Sequence, residues 1–253
     1  MRRTEIIKEI KQFIEPNKNI LAAYEGGSQA TGYTDEFSDL DLVIITDKKH
    51  KEHTFKKIET FLDNKYGMKT KFRLDEPTWH KHSQAFYLLE KVPEYFYVDL
   101  LIVEKNSYNQ FLEIERHGKP FIWFDKENLL NIKHVDKTKI DKKIKQRYRI
   151  LKTVNEITLI EIYKNIARDN FIDAMINYHR LLNRQLSFFL NLKYRPLKYD
   201  FGLLYAYRAY PKEINNQLNQ FMKISNMKDL KRKTEKIENL SRNLIKELDD
   251  KYN

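Results

Sequence analysis

Residues 26–45 read GGSQATGYTDEFSDLDLVII. A short apolar run, Asn19–Tyr24 (NILAAY), stops at the glycine pair, and a second, β-branched run, Leu40–Thr46 (LDLVIIT), follows. Asp39 and Asp41 stand one residue apart at the start of that second run. Side chains on a strand recur on the same face every second residue. The two aspartates are therefore expected to point the same way, with Leu40 between them facing a core. Two ionised carboxylates that close repel, and one takes up a proton unless a cation sits between them. Magnesium, a hard cation that takes oxygen ligands, relieves the conflict. Gly27 lets backbone approach an anion closely, and Ser28 begins an expected short helix, Ser28–Thr31, where amides and a hydroxyl are available to phosphate oxygens. No Gly-Lys-Ser/Thr follows, so this is not the P-loop pattern.

A third carboxylate lies further on. Asp99 interrupts Tyr95–Val103 (YFYVDLLIV), an otherwise uncharged strand pattern. A carboxylate in mid-strand is costly unless it is paired or binds a metal. If this strand neighbours Leu40–Thr46, Asp99 completes a three-carboxylate cluster, as a second metal ligand, as general base on an acceptor hydroxyl, or as both. Each feature alone has an ordinary reading: a solvated strand edge, a turn, a charge that guards an edge from aggregation. Their succession in one chain is rarer. It points to a metal-bound nucleoside triphosphate spanning the aspartates and the Gly-Ser corner.

Outward from this stretch, the first half alternates helix and strand patterns. Thr4–Ile14 and His50–Asn64 carry apolar residues at helical spacing. Lys69–Leu74, Gln84–Leu89 and Pro120–Phe124 read as further strands, and a helix is expected near Tyr108–Arg116. From about Ile132 the texture becomes helical, with expected helices at Lys137–Ile166, Arg168–Leu192, Gly202–Tyr210, Lys212–Ser225 and Lys228–Leu248. The break at Tyr194-Arg195-Pro196 should end one of them. The expected class is α/β in the broad sense (α+β): a domain over residues 1–130 with a mixed sheet flanked by helices, then an all-α bundle over 131–253 that contributes to nucleotide and acceptor binding.

The chain has 253 residues and no cysteine, which excludes disulfides, thiolate zinc sites and a cysteine nucleophile. The start, MRRTEIIKEIKQFIE, is too charged for the apolar core of a signal peptide, and no apolar run approaches a membrane span. A cytoplasmic protein without a membrane partner is expected. Of the 47 Lys and Arg residues, 20 fall in residues 1–130 with 22 of the 36 Asp and Glu; the remaining 27 and 14 give the second half a net charge of +13. Such a surface attracts polyphosphate or nucleic acid, although a lysine-rich composition can also arise without function. His80 and His82 (WHKHS) alternate, but no further ligand cluster accompanies them, and they are expected to be exposed. Tyr194, Tyr199, Tyr205, Tyr207 and Tyr210 lie among basic residues, where helix packing is expected ahead of base stacking.

Gly27-Ser28, Asp39-Leu40-Asp41 and Asp99 together resemble the signature of the polymerase-β-type nucleotidyltransferase superfamily, over roughly residues 20–104. The helical half resembles that of aminoglycoside-type antibiotic nucleotidyltransferases, through LNLKYRPLKYD at residues 190–200. The resemblance implies that Asp39 and Asp41 bind two magnesium ions and that Gly27 and Ser28 hold the triphosphate. Asp99 would be the third ligand or the base, and Lys198 would touch nucleotide phosphates. Thr31 departs from the pattern, because many relatives carry an arginine there. The implied reaction moves a nucleoside monophosphate, AMP from ATP, to the hydroxyl of a small molecule such as an antibiotic, with release of pyrophosphate. A polycationic aminoglycoside suits an acidic groove around Asp35, Glu36, Glu90 and Glu94 better than the basic half. A tRNA or protein acceptor, and a non-catalytic nucleotide-binding module, are the alternatives. A monomer and a homodimer are both compatible with the resemblance.

Overall fold

The computed structural model describes residues 2–107 and 109–253. They form two compact units, Met1–Val135 and Asp136–Asn253. Tyr108, where the expected helix near Tyr108–Arg116 was to begin, lies outside the described residues.

The first unit runs α1 (Arg3–Ile14), β1 (Ile20–Glu25), α2 (Gly27–Thr31), β2 (Leu40–Thr46), α3 (Lys51–Tyr66), β3 (Met68–Arg73), β4 (Ser83–Leu89), β5 (Tyr97–Glu104), α4 (Ile114–His117) and β6 (Phe121–Asp125). The strands make one six-stranded sheet in the order β3-β4-β5-β2-β1-β6. β2 and β5 pair in parallel, and the other neighbours pair antiparallel, so the sheet is mixed.

Alternation along these strands sorts their residues between two faces. Leu40, Leu42, Ile44, Val98, Leu100, Ile102, Ala85 and Tyr87 face one core. There they meet Ile6, Ile10 and Ile14 of α1 and Phe55, Ile58, Leu62 and Tyr66 of α3, apolar positions at helical spacing. The opposite face carries Tyr24, Val43, Ile45, Leu101 and Val103 under Phe111, Leu112, Leu129 and Leu130. Asp41 precedes Val43 on this second face, and Asp99 precedes Leu101, so both carboxylates lie where that smaller core ends.

The segment after β5 is not one helix. The Asn109 side chain caps a 3₁₀ turn, Gln110–Leu112, and Glu113 is then extended. The backbone around it pairs with Lys133 (Ile114 N to Lys133 O, 3.1 Å; Lys133 N to Leu112 O, 3.0 Å), which diverts the bonds a longer helix needs.

The second unit comprises α5 (Lys137–Ala167), α6 (Phe171–Arg180), a π-helical stretch (Leu181–Leu186), α7 (Ser187–Tyr194), a 3₁₀ turn (Pro196–Lys198), α8 (Ala206–Ala209), α9 (Lys212–Phe221) and α10 (Met227–Tyr252). The helix expected from Arg168 begins only at Phe171. Asp169 has φ +54°, and the Asn170 side chain caps the new start. The helix expected over Gly202–Tyr210 shrinks to α8. Arg195 donates to the carbonyls of Gly202 (2.8 Å) and Leu204 (2.7 Å), Asn191 also donates to Gly202 (2.9 Å), and Tyr205 is left-handed. α9 stops short of Ser225, with the Phe221 carbonyl taken by the Tyr178 hydroxyl at 2.8 Å. No helix among the described residues is long and apolar enough to cross a membrane.

Candidate active site

The site begins with strand pairing. Asp41 and Asp99 are register partners on the adjacent parallel strands β2 and β5. Partners in register project to the same face, one strand spacing apart, about 4.8 Å. Asp39 lies two residues before Asp41, just ahead of β2, and its charge helps raise the pKa of the Tyr97 hydroxyl at the start of β5, after burial. The loop that delivers Asp39 is tied to itself. The Asp35 carboxylate accepts from the Phe37 amide (3.1 Å) and the Ser38 hydroxyl (2.8 Å). Arg3 reaches from α1 to the Ser38 and Asp39 carbonyls (3.2 and 3.0 Å) and pairs with buried Glu25 at the end of β1.

The Gly-Ser corner closes on the same carboxylate. The Gly26 amide donates to the Asp41 carbonyl at 2.9 Å. Gly27 has φ +48°, and a Cβ there would stand 1.6 Å from Asp41 Oδ2, so no side chain fits. The short helix α2 that follows is pinned from the other side. Gly118, also at positive φ, approaches Ala30 so closely that a Cβ would meet its carbonyl oxygen at 2.3 Å, and the Lys119 amide donates to that oxygen. Ser28 Oγ is buried with no hydrogen-bond partner. A buried hydroxyl without a partner is costly, and a ligand oxygen would satisfy it.

Burial, and then the neighbouring charges of Asp39, Asp99 and Glu25, push the Asp41 carboxyl up to about 7. Burial raises Asp99 to about 6, against the stabilising Gln84 amide, with Asp39 adding to the rise. Burial raises Glu25 as well, opposed by the Arg3 guanidinium. Carboxylates gathered this closely favour a proton or a cation among them. Among the described residues no group of three His, Cys, Asp or Glu side chains is arranged to hold a metal ion by itself. The donor set still fits magnesium, which takes one or two carboxylates and completes its shell with water and substrate phosphates.

Asp39, Asp41, Asp99, Gly27 and Ser28 all belong to this one end of the sheet. Lys198 belongs to the second unit, at the end of its 3₁₀ turn, with Nζ 5.6 Å from the Phe201 ring centre. Asp35, Glu36, Glu90 and Glu94, the residues of the expected acidic groove, are exposed.

Several side chains at the site escape a sequence reading. Gln84 on β4 donates from Nε2 to both oxygens of Asp99, at 2.8 and 2.9 Å. His80 and His82, expected to be exposed, are 3% and 4% exposed. His80 holds the Gln84 amide oxygen (3.0 Å), and His82 meets Gln110 (3.2 Å). Burial lowers the pKa of both imidazoles and favours the neutral ring. Their signal is the run WHKHSQ at residues 79–84, ahead of an apolar strand, which becomes meaningful only once β4 is known to lie beside β5. Tyr199 and Tyr210 are buried as expected for packing, whereas Tyr205 and Tyr207 are exposed.

Residues 8–86 match the family described as Polymerase beta, Nucleotidyltransferase. The match takes in β1, the Gly-Ser corner, Asp39, Asp41 and Gln84, and ends before Asp99. No curated protein matches the chain significantly.

Proposed function

We propose that this chain, whose N-terminal unit is of the polymerase-β nucleotidyltransferase type, transfers AMP from ATP to a hydroxyl of a small-molecule acceptor such as an antibiotic and releases pyrophosphate. The observation that carries this reading is the in-register pair Asp41 and Asp99 beneath a glycine that leaves no room for a side chain. In this reading Asp39, Asp41 and Asp99 hold magnesium, and Gly27 and Ser28 receive the triphosphate. When bound, the metal neutralises phosphate charge and stabilises the attacking and leaving oxygens. The chain itself contributes position. Gly27 lets backbone reach the phosphates, the Ser28 hydroxyl donates to a phosphate oxygen, and Asp99 takes the proton of the attacking hydroxyl.

The net charge of +13 over residues 131–253 favours a second acceptor class, RNA. Pyrophosphate release from each of the four nucleoside triphosphates with magnesium, against aminoglycosides, lincosamides and tRNA, tests both. Release that requires one acceptor and vanishes with Asp39→Asn plus Asp41→Asn supports transfer and names the acceptor class. Magnesium-dependent nucleotide binding without release from any acceptor would instead favour a binding module.

A further inference from the structure

Behind Asp99 lies a chain of hydrogen bonds whose donors and acceptors admit one assignment. A carboxylate only accepts, so the Gln84 group within 2.8 and 2.9 Å of the two Asp99 oxygens is its amide nitrogen. The Gln84 amide oxygen then points away, 3.0 Å from His80 Nε2. An amide oxygen also only accepts, so His80 Nε2 carries the proton. On the far side of the ring, the His82 amide lies 3.2 Å from His80 Nδ1 and donates to it. The Thr78 hydroxyl, also 3.2 Å from Nδ1, spends its proton on the His82 carbonyl at 2.6 Å. Nδ1 is therefore an acceptor, and His80 is neutral with its single proton on Nε2.

We propose that Gln84 and His80 are positioning residues for Asp99: His80 fixes which way the Gln84 amide faces, and Gln84 fixes the rotation of the Asp99 carboxylate beside Asp41. Gln84 can do this because it sits on β4, the strand next to β5, two positions from Phe86, the register partner of Asp99. His80 can do it because its ring is itself held on both edges and 3% exposed. Without the His80 donor, the Gln84 amide is free to turn over and set an oxygen against a carboxylate oxygen. The proposal rests on the nucleotidyltransferase reading for its catalytic consequence, but its geometry can be tested without turnover.

The test is side-chain ¹⁵N–¹H NMR of the full chain at neutral pH. The expected wild-type pattern has the His80 proton on Nε2 and a bare Nδ1. Asp99→Asn should leave the His80 proton on Nε2, because the His82 amide still donates to Nδ1, whereas His80→Phe should shift the Gln84 side-chain amide signals. A proton on Nδ1 in the wild type, or Gln84 amide signals unchanged in His80→Phe, would overturn the proposal. In pyrophosphate release, Gln84→Leu should lower kcat about tenfold or more while leaving the triphosphate KM within about twofold, the mark of lost orientation rather than lost binding. His80→Phe should add nothing to Gln84→Leu, because it acts through the same amide. Full kcat in Gln84→Leu would refute the catalytic role. A wild type that releases no pyrophosphate would count against the nucleotidyltransferase reading, with the NMR result still deciding the relay.

Discussion

Asp41 and Asp99 are register partners on adjacent parallel strands, and the Gly27 backbone is pressed against Asp41 Oδ2. Their neighbours decide the cost of this arrangement. Burial, with the charge of Asp39 beside it, raises Asp41 to about 7 and Asp99 to about 6, from an ordinary 3.8. The pair is thus a liability to the metal-free fold.

Stability should report that liability through pH. A carboxyl whose pKa is higher in the folded chain binds its proton more tightly there. Its favourable contribution is complete below the ordinary value of 3.8 and is lost as pH climbs through about 7. The metal-free protein should therefore lose stability across that window, and Asp41→Asn should flatten the loss. At pH 7.5 we expect the variant to be more stable by up to about 4 kcal/mol, roughly three pKa units at about 1.4 kcal/mol each. Urea denaturation from pH 4 to 8 measures this, and a variant less stable than wild type at pH 7.5 would refute it.

Gly27→Ala puts a methyl group where Asp41 Oδ2 stands, on a backbone at φ +48°. The left-handed conformation alone costs about 1–2 kcal/mol for a residue with a side chain. The carboxylate must move as well, so pyrophosphate release should fall by about tenfold or more. Thermal melts with a release assay check both effects.

Ser28→Ala separates binding from folding. The hydroxyl is buried without a partner, so its removal should leave the melting temperature unchanged or slightly higher. Affinity for the magnesium triphosphate should weaken about tenfold, or about 1.4 kcal/mol. Equal affinity in the two proteins would remove Ser28 from the phosphate site.

The Arg3–Glu25 pair anchors the loop before β2. Arg3→Met leaves Glu25, 2% exposed, without its cation, at a cost of about 3–5 kcal/mol. Arg3→Met with Glu25→Leu should recover much of that loss, as apolar replacements of buried ion pairs often do. Chemical denaturation of the single and double variants is the check.

What could be read from the chain alone follows from how local each signal is. Leu40–Thr46 is a strand in sequence and in structure because β-branched residues fill a position buried on both faces. Asp39, Asp41 and Asp99 stood out because charge inside such runs needs a reason. The partners of these residues were hidden, because Gln84 joins Asp99 only through the order of β4 and β5, and Arg3 joins Glu25 only across the packing of α1 on the sheet. His80 and His82 looked exposed because nothing in WHKHS records the burial supplied by residues some thirty positions later, Gln110 and Phe111. In the helical half, periodicity carried α5 and α10, but it overran Gly202–Tyr210, where Arg195 takes carbonyls that a helix would use.

The most direct test of the site is calorimetric binding of a non-hydrolysable ATP analogue to the full chain, with magnesium and with EDTA, in the wild type and in Asp41→Asn. The account predicts binding that requires magnesium and weakens about tenfold or more in the variant. Binding of equal strength in EDTA, or in Asp41→Asn, would contradict it.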